Sequence, residues 1–180
     1  MPCSILIALS TLSLNLDLHE MTPAQAAAAL ARAMPQAISP SQLEEYGIAV
    51  AESNAQAISR EILSLNLYWI LAAIDAHIPT KYREAISTAL LETIKATWWQ
   101  PGQLGAGSWE EYRNELDTRR AEYGRLVDQE GMSHMAISAE AASRIEDLGF
   151  VSPDDRQKLL VLLIDYAPAA EYGRLLDEVG

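Results

Sequence analysis

One cysteine, one phenylalanine, and 13 basic residues against 25 acidic ones mark what this 180-residue chain is short of. A lone Cys3 closes no internal disulfide, so the chain has no covalent staple and fits a reducing compartment, which makes the cytoplasm the expected location. The scarce Lys and Arg gather into no stripe, and the net charge is −12. A binder of nucleic acid or of an anionic membrane needs a positive footprint, so neither is an expected partner. The acidity is uneven. Residues 1–100 carry nine acids and five bases (−4), and residues 101–180 carry sixteen and eight (−8).

The arrangements that carry common chemistries are missing as well. Three residues before His19, His77 and His134 stand Leu16, Ile74 and Gly131, which excludes the Glu-x-x-His pairs of carboxylate-bridged metal bundles. His19-Glu20 has no second His at metalloprotease spacing, and there is no Cys-x-x-Cys. No Ser stands in a Gly-x-Ser-x-Gly elbow. GQLGAGSW at 102–109 has the glycine spacing of a phosphate loop, but Ser108 stands where the phosphate-reaching Lys belongs, and the segment follows a helix rather than a strand. No catalytic residue, cofactor or metal site is therefore expected. Asp17, His19 and Glu20 remain a local metal-binding idea that elemental analysis would test.

What the chain does have is helix punctuation and a normal apolar content of 49%. Thr22-Pro23 and Ser39-Pro40 each read as a cap followed by a first-turn proline. From Leu43 through Tyr46, Val50, Asn54, Ile58, Ile62, Leu65 and Trp69, apolar and small residues recur at three-and-four spacing, predicting a long central helix over 40–78, with a kink near Gly47 or Asn54 as the alternative. Pro79 ends it. Thr80 is read as the next cap, and Ser108 with Glu111 as a capping box. Ser138 is read as the start of another helix, which puts His134 in the linker before it; Ser152-Pro153 and Pro168 mark two more. The fold class is all-α, a multi-helix bundle forming one domain over 1–180, with an apolar N-terminal arm at 1–21 and a helical core at 22–180.

The arm is ambiguous. Leu12, Leu14, Leu16 and Leu18 alternate with polar residues at a strand's period, yet Ile5, Leu9, Leu12 and Leu16 also fit a helix. No base precedes Arg32 and no small-residue cleavage site follows, which argues against a signal peptide. AEYGRLVDQEG at 121–131 and AEYGRLLDEVG at 170–180 share eight of eleven positions, but residues 100–120 and 149–169 share none. The likeness is one helix-end solution used twice: Tyr, Leu and Leu or Val make a stripe, an exposed Glu and Arg lie three apart, and a glycine closes the helix.

Two functional expectations follow. The first is a non-enzymatic protein–protein interaction module acting as a homodimer, because an apolar arm needs cover and is a natural swapping element. Trp98, Trp99 and Trp109, three of the four tryptophans, bracket the glycine-rich connector; adjacent Trp98 and Trp99 point about 100° apart, so one faces a core and the other a groove or interface. The second is a small-molecule binder or enzyme whose inter-helix pocket is lined by Trp69, Asp75, His77 and Trp98 or Trp99. Asp75 stands out in the apolar run LAAIDAHI; buried, it would have to be paired, with Arg83 as one partner, or protonated.

Overall fold

Cap chemistry sets the first helical boundaries. The structure, a computed structural model, describes residues 22–99, 102–131 and 133–177. The arm at 1–21, with its strand-or-helix question and its metal idea, lies outside them. Helix α1 spans Pro23–Ala33: the Thr22 hydroxyl accepts the Gln25 N–H while the Gln25 side chain accepts the Thr22 N–H at 2.8 Å. Ser39 and Gln42 repeat that exchange at the start of α2, Pro40–Glu45. Such reciprocal boxes satisfy amides the helix leaves unpaired.

The segment 40–78 is not one helix but two, the alternative that the sequence leaves open, with the break at Gly47. Gly47 takes a left-handed φ of +74° and ends α2; the Ile48 N–H donates back to the Leu43 carbonyl, and Ile48 is fully buried. The central helix α3 then runs over Glu52–His77. The spacing of Leu43, Tyr46 and Val50 persists across this corner by coincidence of register, because glycine permits the turn that no stripe reveals.

Helix α4 spans Thr80–Ile94, with Pro79 rather than Thr80 at its cap position, and passes into a π turn over Lys95–Trp99. Helix α5 spans Trp109–Glu130, opened by the Ser108–Glu111 box and closed by Gly131 at φ +63°. Helix α6 spans His134–Asp147, capped by Ser133; it starts four residues earlier than the sequence reading, so His134 is its first residue and Ser138 is fully buried inside it. A 3₁₀ turn at Pro153–Asp155 leads into α7, Arg156–Tyr166, and α8 covers Ala169–Asp177.

The result is a compact all-α fold around α3. One face of α3 (Leu63, Leu67, Ile70, Leu71, Ile74) packs into a core shared with α1, α4, α8 and the start of α5. The opposite face (Ala55, Ile58, Ile62, Leu65, Tyr68) packs into a second core shared with α2, α5, α6 and α7. Trp69 touches both. Alanine-rich α1 lies on α4, burying Ala26, Ala27 and Ala29. The α3 segment has the length and apolarity of a membrane span, yet most of it is buried against the other helices.

The two EYGRL segments bury the same tyrosine and diverge after it. Tyr123 and Tyr172 are both fully buried, but the next buried residue differs: Leu126, three places on, in α5 and Leu176, four places on, in α8. Their charges differ in use: Glu171 pairs with Arg174 on its own helix, whereas Glu122 reaches Arg144 of α6.

Candidate functional site

The π turn decides where the two adjacent tryptophans go. One extra residue per turn widens the backbone; Trp98 enters the first core at 4% exposure, and Trp99 emerges half-buried beside α5. Such turns recur at functional positions. The Trp99 ring stacks on Tyr112, with centroids 5.3 Å apart and planes at 27°, and meets the edge of Trp109 at 5.8 Å. Tyr112 is itself wholly buried, and desolvation holds its phenol well above the usual range.

Arg60, on the third turn of α3, completes this corner. Its guanidinium lies 5.1 Å from the Trp99 ring centre and 5.3 Å from that of Tyr112, within cation–π range. Its Nε and Nη2 donate to the two carboxylate oxygens of Glu115 at 2.8 and 2.7 Å, and Nη1 donates to the Ala106 carbonyl at 3.3 Å. One side chain thereby ties α3, α5, the π turn and the connector 102–107. The connector's Leu104 is 2% exposed and sits in the first core with Trp98, Trp109 and Tyr112. Gly102, Gly105 and Gly107 all have positive φ, which lets so short a segment turn back onto α3.

The six candidate residues fall at three places. Trp98, Trp99 and Trp109 come together at the Arg60 end of α3. Trp69 lies in mid-helix, its ring 4.8 Å from Tyr68 and 5.4 Å from His134. Asp75 and His77 lie exposed at the far end, where His77 Nε2 approaches Gly173 of α8. Arg60 and Asp75 are separated by about 22 Å of helix rise, so Asp75 and Trp99 do not line one pocket. Arg83 donates to the Ile78 carbonyl at 2.6 Å, covering the C-terminus of α3. His134 Nε2 is 2.8 Å from the Ala167 carbonyl, joining the start of α6 to the end of α7.

Sequence reasoning missed the buried ionic cluster beside the aromatic corner. Glu61, 5% exposed, takes a two-point fork from Arg119, with Nε to Oε2 at 3.1 Å and Nη2 on the other oxygen. Arg144 Nη1 lies 4.0 Å from the same carboxylate, donates to the Tyr123 hydroxyl at 3.2 Å, and pairs through Nη2 with Glu122. The signal was present: Glu61 is the one acid between residues 53 and 74.

Asn66 is wholly buried in α3, and its amide is fully satisfied. It donates to the Ile62 carbonyl at 2.8 Å and the Tyr166 carbonyl at 2.7 Å, and accepts from the Tyr172 hydroxyl. These bonds hold the α7–α8 corner on α3. Among the described residues, no three His, Cys, Asp or Glu side chains converge as a metal would require. The arrangement gathers the Trp99 and Trp109 rings, one forked guanidinium and a carboxylate reachable from solvent at one corner.

No protein-family model, curated protein or solved structure matches this chain.

Proposed function

We propose that the chain is a non-enzymatic helical interaction module that acts as a homodimer in the cytoplasm, with neither nucleic acid nor membrane as its partner. The observation that carries this reading is the corner of Trp99, Arg60 and Glu115. Trp, Tyr and Arg are the residue types in which binding energy concentrates at protein interfaces, above all when they form a rigid, pre-packed cluster. Here Trp99 is half-buried on a stacked base of Tyr112, and the Glu115 side chain keeps 45% of its surface exposed. The apolar sequence of residues 1–18 supports the second half of the reading, because it calls for a cover that another copy can supply.

Native mass spectrometry tests this on the full chain, on Trp99→Ala and on a chain starting at residue 19, with circular dichroism to verify the fold. A dimer that dissociates in either variant is the expected result. Two copies each bearing −12 repel one another, so the dimer should also tighten as salt screens that repulsion. A full-length monomer carrying a co-purified small molecule would overturn the proposal and favour a ligand-binding protein.

A further inference from the structure

The geometry points to Arg60 as a latch that holds the connector 102–107 closed over the aromatic corner. The inference rests on the interaction reading only for its purpose; the latch itself stands on contacts. Four groups converge on this guanidinium: the fork from Glu115, the Ala106 carbonyl, and the faces of Trp99 and Tyr112. The Ala106 bond fastens the connector directly to α3.

Beneath the latch, the connector inserts Leu104 among Trp98, Trp109 and Tyr112. Lifting residues 102–107 would withdraw the Leu104 side chain from the first core. The connector is thus an internal occupant of the contact surface, and Arg60 sets how often it leaves. The balance is fine enough for this to matter. The Glu115 end of the fork is solvent-exposed and each cation–π contact is modest, so the latch shifts the closed state by about tenfold and does not weld it.

Hydrogen exchange on the full-length Arg60→Gln and Arg60→Lys proteins tests this, with tryptophan emission as a second readout. Exchange across 102–107 should rise about tenfold in both, because lysine keeps the charge but has neither the fork nor the planar stack. Exchange in α6 and α7 should stay as it was, and the emission should shift to the red. Unchanged protection of 102–107 would overturn the latch. A uniform rise along the whole chain would overturn it too, because Arg60 would then support the fold rather than the connector. Because Arg60 also belongs to the proposed contact corner, native mass spectrometry of the unaltered chain keeps the two ideas apart: the latch can fail in a chain that dimerises, and it can behave as described in a chain that does not.

Discussion

Glu61 of α3 and Arg119 of α5 face each other through a two-point fork, and the residue before the first, Arg60, makes the opposite-sense fork with Glu115, one turn before the second. Neighbours on one helix therefore grip residues i and i+4 on the other with reversed charge. This crossed arrangement accepts one register of α3 against α5, because a shift by a turn would set like charges together.

Removing one member of the inner pair leaves buried charge behind. Glu61→Gln should destabilise the fold by about 3 kcal/mol, since Arg119 and Arg144 would both lose their shared carboxylate. Glu61→Met with Arg119→Met should cost clearly less than the sum of the two single changes. Urea unfolding of the four proteins in a double-mutant cycle measures the coupling, and additive costs would refute the pairing.

Tyr172→Phe deletes one hydroxyl in a fully buried place and strands the Asn66 carbonyl oxygen. A loss of about 1–3 kcal/mol is expected. Asn66→Leu should cost more, because the Tyr166 carbonyl then loses its donor as well. Thermal unfolding compared across the two proteins gives the order, and equal stability of both with the parent would contradict it.

Two glycines of the same α5 helix should respond with opposite sign. Gly124 lies within the helix with nothing within 4 Å of an added Cβ, so Gly124→Ala should stabilise by about 0.5–1 kcal/mol. Gly131 closes the helix at φ +63°, so Gly131→Ala should destabilise by about 1 kcal/mol. Chemical denaturation midpoints of the two variants decide this.

The tyrosines make the fold sensitive to base. Desolvation, helped by the hydrogen bond to Asp165, pushes Tyr46 from 10.0 up to about 12. Burial also pushes Tyr112, Tyr123 and Tyr172 upward. The folded chain thus keeps phenol protons that the unfolded chain releases, so this contribution is complete below pH 10 and declines as pH rises toward 12 and beyond. Stability followed by circular dichroism should fall across that interval, together with a delayed ultraviolet titration of the phenols. Phenols that titrate at their ordinary value in the folded chain would exclude it.

Much of the helix order is readable because caps and breakers act within a few residues: Thr22, Ser39, Ser108 and Pro79 mark boundaries whatever surrounds them. The acids show where reading stops. Asp75 and Glu61 both interrupt the apolar run of α3, and Asp75 drew attention because its neighbours are the more apolar. The structure exposes Asp75 near a helix end and buries Glu61 at mid-helix, where α5 and α6 cover it. Which turn of a helix is covered depends on partners distant in sequence, and Arg119 and Arg144 look like any surface bases until α5 and α6 are in place. The corner of Trp99, Tyr112 and Arg60 was visible only as tryptophans around a glycine-rich connector, because a π turn has no spacing of its own to betray it.

Helix α3 serves two cores, and this governs how the sequence can drift. Apart from α5, which enters both, the outer helices each answer to one core, so a substitution in α1 can be accommodated by α4, and one in α7 by α6, without reference to the other side. Residues 55–74 have no such freedom, and Trp69, which touches both cores, has least. The two flanks of this protein can therefore diverge almost as separate lineages, joined by α3 and α5, which neither can change alone.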